Sequence, residues 1–138
     1  MSNTPTAILT RREVFSASHR LHSKSLSDDE NRALFGKCWH PNGHGHNYVL
    51  EVSVRGPIDE HGLVMNLTEL KKILQKNVIS KVDHIHLNMD VKEFKELNPT
   101  AENIAYVIWH WLKPTLGELL YEVKLHETEN NVAIYRGE

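Results

Sequence analysis

The sequence predicts an α+β domain, an antiparallel four-stranded sheet with two main helices on one face. Three observations carry that expectation. Segments 7–18 and 44–55 alternate apolar and polar residues at the strand period. Segments 67–80 and 100–112 repeat apolar residues at helical spacing. The C-terminal segment holds two short alternating runs around a polar turn. The order is two strands, helix, loop, helix, two strands, with no internal repeat, and it suits helices packed against one face of an antiparallel sheet.

Met1 to Pro5 is polar and reads as a frayed start. Ala7 to Ser18 forms the first strand, with Phe15, Ala17 and His19 on one face and Val14, Ser16 and Ser18 on the other, so His19 extends an apolar row. His22 to Asn31 is a loop or short helix leading to Leu34-Phe35-Gly36. Pro41-Asn42-Gly43 is a turn signal. The second strand starts after it near His44 and runs to Arg55, with His44, His46, Tyr48, Leu50, Val52 and Val54 on one face. Gly56-Pro57 is expected to break that strand, and Asp59 to Gly62 to turn the chain before Leu63-Val64-Met65.

Asn66 with Glu69 three residues later resembles a capping box, and Leu67, Leu70, Leu74 and Val78 predict a helix over 67–80. Ser80 to Pro99 has no sustained period and reads as a functional loop, with one short helix near Val91 to Leu97. It carries Asp83-His84-Ile85-His86-Leu87-Asn88. Thr100 is the N-cap of the second helix, Glu102 suits its first turn, and Ile104, Val107, Ile108, Trp111 and Leu112 form its buried stripe. Pro114 and Gly117 are expected to end it. Leu119 to Glu127 is a third strand, with Tyr121, Val123, Leu125 and Glu127 on one face and Glu122, Lys124 and His126 on the other. Thr128 to Asn131 turns, and Val132 to Arg136 returns as the fourth strand.

Composition narrows the function classes. A chain of 138 residues, 40% hydrophobic and 25% charged, suits one globular domain over 1–138. Its single cysteine excludes an internal disulfide, and no amino-terminal apolar run resembles a signal peptide. The longest apolar run, Ile104 to Trp109, falls far short of the roughly 20 residues of a membrane span. A reducing cytoplasmic location is the default expectation. The net charge of -2 shows no bias toward nucleic acid or membrane, and neither is an expected partner. The ten histidines are the one anomaly.

Three of those histidines and the only cysteine fall in Lys37-Cys38-Trp39-His40-Pro41-Asn42-Gly43-His44-Gly45-His46-Asn47-Tyr48. His44 and His46, two apart on a strand, project from one face and suit two ligands of one metal ion. A catalytic zinc takes three protein ligands at about 2.0 Å and keeps a fourth position open. His19 completes such a set if the first two strands are neighbours; His40, His44 and His46 form a local rival set, and spacing leaves both open. Cys38 reads as a fourth ligand, a small buried hydrophobe, or a base whose pKa a nearby cation lowers. Asp83-His84 sets a carboxylate beside an imidazole. Glu127, ending an apolar row, would suit a ligand edge presenting two N–H donors, or else is a solvated carboxylate near a turn.

Phe15-Ser16-Ala17-Ser18-His19-Arg20, Cys38 with five residues before His44-Gly45-His46, Asp83-His84, Thr100-Ala101-Glu102-Asn103 and His126-Glu127-Thr128 together resemble the 6-pyruvoyl tetrahydropterin synthase family. The resemblance runs in order over nearly the whole chain, including Leu26 to Lys37 and the Gly137-Glu138 end. The five-residue spacing is similar to that of the biopterin-pathway branch; the 6-carboxytetrahydropterin synthases usually have a shorter one. It implies a zinc-dependent carbon–oxygen lyase that converts 7,8-dihydroneopterin triphosphate to 6-pyruvoyl-tetrahydropterin with loss of triphosphate, in tetrahydrobiopterin biosynthesis.

By that resemblance His19, His44 and His46 would hold zinc, Cys38 would be the proton-abstracting base, Asp83 and His84 would relay protons, and Glu127 would anchor the pterin. Thr100 and Glu102 would also contact substrate, while Ala101 stands where many relatives carry a hydroxyl. Arg20, Lys24 and Lys37 are candidate partners of the triphosphate. The implied fold is the tetrahydrobiopterin-synthesis T-fold, in which three subunits close a barrel and two trimers stack into a homohexamer. Active sites lie between subunits, with Cys38 and Asp83-His84 from different chains. The rivals are a 6-carboxytetrahydropterin synthase and a non-catalytic zinc- or pterin-binding protein of the same fold.

Overall fold

The structure is a computed structural model that describes residues 3–138. Met1 and Ser2, part of the expected frayed start, lie outside the described residues; Pro5 is already tied down, its carbonyl accepting the Ile58 N–H. Strand β1 (Thr6–His19) pairs antiparallel with β2 (His44–Pro57) over their full lengths, from Thr6 opposite Pro57 to His19 opposite His44. Gly56-Pro57 therefore does not break β2. Proline is tolerated at a strand's end, where its missing N–H costs the ladder least.

The sheet has five strands rather than four, because Ile85–His86, here β3, pairs parallel with Ala17 and Ser18 of β1. Two residues carry no readable period, so this strand was invisible inside the segment read as a loop. Counting β4 (Leu120–His126) and β5 (Val132–Tyr135), the order is β3-β1-β2-β4-β5. Strand β4 departs from strict alternation. Ser53 pairs with Glu122 but Val54 with Leu120, so a bulge leaves Tyr121 unopposed. Leu120, rather than Tyr121, joins Val123 and Leu125 in the core.

Helix α1 (Asp28–Phe35) fills the stretch read as a loop or short helix, and its start is the true capping box. Ser27 Oγ accepts the Glu30 N–H, and Glu30 returns a bond to the Ser27 N–H. At Asn66 only half of the motif forms. The amide oxygen accepts from Thr68 and Glu69, while the Glu69 carboxylate turns to Lys72. Helix α2 (Leu67–Leu74) continues through a π-helical turn, Gln75–Ile79, and a last helical turn, Ser80–Val82. Leu70, Leu74 and Val78 of its predicted stripe are fully buried, but Leu67 is exposed.

The short helix expected near Val91 to Leu97 is a 3-10 turn, Lys92–Lys95. Helix α3 (Ala101–Leu116) starts at the Thr100 cap and runs through Pro114 to Gly117, whose positive φ of 57° ends it. Pro114 sits in the last turn; its missing N–H removes one bond, to the His110 carbonyl, and only two helical residues follow it. Trp111 stays half-buried and donates its indole N–H to Glu93; Trp109 is buried instead.

Helices α2 and α3 cover the face bearing Phe15, Ala17, Tyr48, Leu50, Val52, Val123 and Leu125. Each such aliphatic or aromatic side chain contributes roughly 1.5–3 kcal/mol through burial. The other face of the sheet stays bare, with Ile8, Val14 and Ile134 about half exposed. Because the β1–β2 register closes on His19 opposite His44, both buried rows end in imidazoles at one end of the sheet.

Candidate metal centre

Four side chains converge there. His19, Cys38, His44 and His46 place one ligand atom each so that all four atoms lie within 4.8 Å of one another. His19 and His46 meet Nε2 to Nε2 at 3.0 Å, and His44 Nε2 lies 3.0 Å from Cys38 Sγ. Metal bonds of about 2.0–2.3 Å set tetrahedral ligand atoms roughly 3.3–3.8 Å apart, so the group has the dimensions of a metal centre. The two strands supply the histidines by register, and the 3-10 turn Gly36–Trp39 supplies Cys38.

The surroundings prepare the imidazoles for that role. His19 is fully buried, and its Nδ1 donates to the Pro99 carbonyl at 2.8 Å, which fixes the tautomer and leaves Nε2 as the free lone pair facing the group. Burial lowers its pKa to about 4, against the pull of the Pro99 bond and with help from His46 and His44. Burial, then His44, also lowers His46. Both are therefore neutral near pH 7, the state a metal ligand needs. Burial and then the Glu127 carboxylate raise the Cys38 thiol, so without a cation it stays protonated. Burial also raises Tyr48, whose hydroxyl lies 3.4 Å from His19 Nδ1 beneath the group.

The segment after His19 is clamped by asparagines that sequence reading assigned no role. Asn88 takes the Arg20 N–H on its oxygen and donates to the Arg20 carbonyl; Asn98 accepts the His22 N–H; Asn31, wholly buried, binds Ser23, Leu26 and Ser27. The Leu21 N–H then donates to the Cys38 carbonyl, fixing the turn that bears the thiol. Gly43 is obligatory at the other approach. It has φ of 71°, and a Cβ there would lie 2.7 Å from the His19 carbonyl oxygen. Asparagines in polar loops and a proline carbonyl give no pattern to read, whereas Gly43 was visible as a turn signal.

The remaining expected site residues divide into two places. Glu127 lies 4.0 Å from His46 Nε2, and burial, then Glu102, raises its pKa. It lines a cavity of about 530 Å³ with Thr100, Ala101 and Glu102, so the three expected substrate contacts share one hollow. Asp83 and His84 are not brought to the group within one chain. They lie at the β1 edge, where Asp83 accepts the Ser16 N–H at 2.9 Å and pairs with His84 Nδ1 at 2.9 Å. The Ser16 bond chiefly holds the Asp83 pKa below its usual range. His84 has φ of 61°, rare for a residue with a side chain, and its imidazole is 81% exposed.

His40 is no part of the cluster. It is exposed, and its Nδ1 accepts the Asn42 N–H, so the local set His40, His44 and His46 gives way to the cross-strand set. Of the cations, Arg20 donates Nε to the Trp39 carbonyl, Lys24 lies 3.9 Å from Glu96, and Lys37 lines a cavity that reaches His44.

Fold and site together define an α+β protein with a metal-capable His₃Cys group at the end of its two longest strands. The family profile described as 6-pyruvoyl tetrahydropterin synthase matches residues 8–138. The 6-pyruvoyl tetrahydrobiopterin synthase of Dictyostelium discoideum is 56% identical over 134 residues, 96% of this chain and 98% of its own. The human protein of that name is 52% identical over 134 residues, 96% and 92% of the two chains. The solved structure of Caenorhabditis elegans 6-pyruvoyl tetrahydropterin synthase superposes with a TM-score of 0.94 at 43% identity, covering 100% of both chains. This chain belongs to the 6-pyruvoyl tetrahydropterin synthase family.

Proposed function

We propose that this chain is a zinc-dependent carbon–oxygen lyase of tetrahydrobiopterin biosynthesis that converts 7,8-dihydroneopterin triphosphate to 6-pyruvoyl-tetrahydropterin and releases triphosphate. The observation that carries the reading is the adjacency of the His₃Cys group to Glu127, 4.0 Å from His46, at the mouth of the carboxylate-lined cavity. His19, His44 and His46 would hold the metal, their neutral imidazoles leaving its charge undiminished. Bound there, zinc supplies a Lewis acid for the hydroxyls of the substrate side chain.

The chain's own residues do the rest. Glu127 accepts the paired N–H donors of the pterin edge, and Thr100 and Glu102 border the same ring. Cys38 would take a carbon-bound proton of the side chain, as the thiolate that a cation held beside it would favour. His84, oriented by Asp83, exchanges protons at the carbons where the product's diketone forms. The bond from carbon to the triphosphate oxygen breaks, the leaving group departs with that oxygen, and tautomerisation gives the diketone; the conversion is redox-neutral overall.

The exposure of His84, and of Ile8, Val14 and Ile134 on the sheet face that carries no helix, supports an assembly that completes the site, a homohexamer built as a dimer of trimers, each trimer closing a barrel. Each subunit is one domain over 1–138. Among the described residues no helix is long and apolar enough to cross a membrane, and we assign the enzyme to the cytoplasm with no nucleic-acid or membrane partner.

The test is incubation of purified, zinc-loaded protein with 7,8-dihydroneopterin triphosphate, reading released triphosphate and product mass. Release with the three-carbon side chain retained is expected. A shortened side chain would move the assignment to 6-carboxytetrahydropterin synthase, and bound zinc without release would make the chain a binding protein.

A further inference from the structure

Residues 20 and 21, which follow His19, hold two consecutive carbonyls of the turn that carries Cys38. The Leu21 N–H donates to the Cys38 carbonyl at 2.6 Å, and Arg20 Nε donates to the Trp39 carbonyl at 2.9 Å. The first is a backbone bond that any residue other than proline would make. The second exists only because residue 20 carries a guanidinium, whose Nε–H donates from a planar fork. The same group lies over the Trp39 ring, its carbon 5.2 Å from the centroid. One side chain thus engages Trp39 at both its carbonyl and its ring.

Arg20 is itself fixed from behind. Asn88 accepts its N–H at 2.8 Å and donates to its carbonyl at 2.9 Å. A side-chain amide that presents an acceptor and a donor to the same residue does what a strand neighbour would. It follows the rungs that join Ala17 to Ile85 and Ser18 to His86, so the contact between β1 and the segment after Asp83 extends to Arg20. The turn needs such a hold. Gly36–Trp39 is a single 3-10 turn with no buried residue, yet it sets Cys38 Sγ 3.0 Å from His44 Nε2. Arg32 also lies over the Trp39 ring, at 4.8 Å, but its guanidinium pairs with Asp29 at 3.5 Å rather than with the turn's backbone.

We infer that Arg20 is a positioning residue for Cys38, a latch from the end of β1 to the Trp39 carbonyl that keeps the thiol beside the metal group. The inference rests on the proposed lyase reading, in which Cys38 takes the carbon-bound proton. It assigns Arg20 to the thiol rather than to the leaving group, for which it was a candidate in the sequence. A misplacement of about 1 Å costs about 10²-fold in rate, so the latch acts on the chemical step and not on substrate binding.

Cys38 is the only cysteine in the chain, so thiol alkylation reports on this turn alone. The test compares Arg20→Lys, which keeps the charge but has a carbon where Nε stands, with Arg20→Gln and with Arg32→Gln as the control. Zinc content, alkylation of the metal-free protein by iodoacetamide at one fixed pH, and kcat and KM of the zinc-loaded protein are read for each. Both Arg20 variants should alkylate about 10-fold faster, the size expected when a charged hydrogen bond that opposes local opening is lost. Their kcat should fall about 10–100-fold with KM and zinc content unchanged. Arg32→Gln should behave as the unmodified protein.

The inference is overturned if Arg20→Lys alkylates and turns over as the unmodified protein does, or if the Arg20 variants raise KM alone, which would make the guanidinium a substrate contact. It is also overturned if Arg32→Gln speeds alkylation equally, since the ring and not the carbonyl would then hold the turn. Should the Arg20 variants lose zinc, Asn88→Asp decides, because it leaves the guanidinium in place and sets an oxygen against the Arg20 carbonyl. Faster alkylation with zinc retained upholds the latch, and unchanged alkylation overturns it. The two readings fail separately. Faster alkylation in the Arg20 variants of a protein that shows no turnover upholds the latch and removes the lyase, whereas unchanged alkylation with intact turnover removes the latch alone.

Discussion

The metal group and the Asp83–His84 pair bring ionisable side chains together in opposite ways. At the group, one chain does everything: register aligns His19 with His44, the Pro99 carbonyl fixes a tautomer, and the Leu21 N–H, in a segment clamped by asparagines, holds the turn that carries Cys38. At the β1 edge the backbone is equally well fixed, by the bonds of Ser16 to Asp83 and His84, yet the imidazole faces out with 81% of its side chain exposed. A left-handed His84 costs about 1–3 kcal/mol of backbone strain. The difference teaches that the His₃Cys group is assembled by the folding of one chain, while the Asp83–His84 pair is built with equal care but aimed outward, away from that group.

The largest expected effect breaks the assembled group. His19→Ala removes both a proposed ligand and its buried tautomer lock. Loss of an outer-shell partner alone costs about 10–100-fold in metal affinity, so loss of the ligand should exceed about 100-fold and abolish turnover. Chelator competition reads the affinity. His40→Ala should leave it unchanged, and a zinc-free His40 variant would restore the local set. Cys38→Ala should cost about 10²–10⁴-fold in turnover, the range of general acid–base catalysis, with metal retained by three imidazoles. Metal lost along with turnover would make Cys38 a ligand instead.

A smaller effect sharpens the outward half. His84→Ala should lower turnover about 100-fold while leaving zinc content and unfolding midpoint unchanged, since the side chain is exposed. Mixing inactive Cys38→Ala and His84→Ala chains through unfolding and reassembly then tests where each half comes from. If every site takes Cys38 from one chain and His84 from another, a random equal mixture should recover about a quarter of the native activity. No recovery would confine both residues to one chain.

How much of this could be read from residues follows from periodicity. His19, His44 and His46 were legible because each extends a row of alternating apolar residues, and Tyr48 through Val54 fixed the face. The pairing of β1 with β2, which spacing could not decide, chose His19 over His40. Asp83-His84 was legible as a dipeptide but not as part of a strand edge, because two paired residues have no period. The β4 bulge moved Tyr121 out of the row it was assigned to, and the helix passed through Pro114 but stopped at Gly117 as expected. Pro99 and the asparagine clamps act through a carbonyl and side-chain amides reached only after folding.

The smallest expected effect is a pH signature that separates the two regions in metal-free protein. His19 falls from an ordinary 6.5 to about 4 in the folded chain, chiefly through burial. The unfolded chain therefore binds the extra proton first, and stability present above pH 6.5 is lost as pH falls, levelling off below about 4. The loss should reach roughly 3 kcal/mol between pH 7 and pH 4. His46, also lowered by burial, acts in the same direction. Asp83, lowered by the Ser16 N–H, contributes only at the acid end, below its ordinary 3.8, and little because it is solvated. Urea unfolding of the metal-free protein at pH 7 and pH 4.5 reads the first window, and His19→Gln should flatten it. A stability unchanged across that window would mean that His19 is solvated in the metal-free chain, and that the metal, not the fold, completes the buried half.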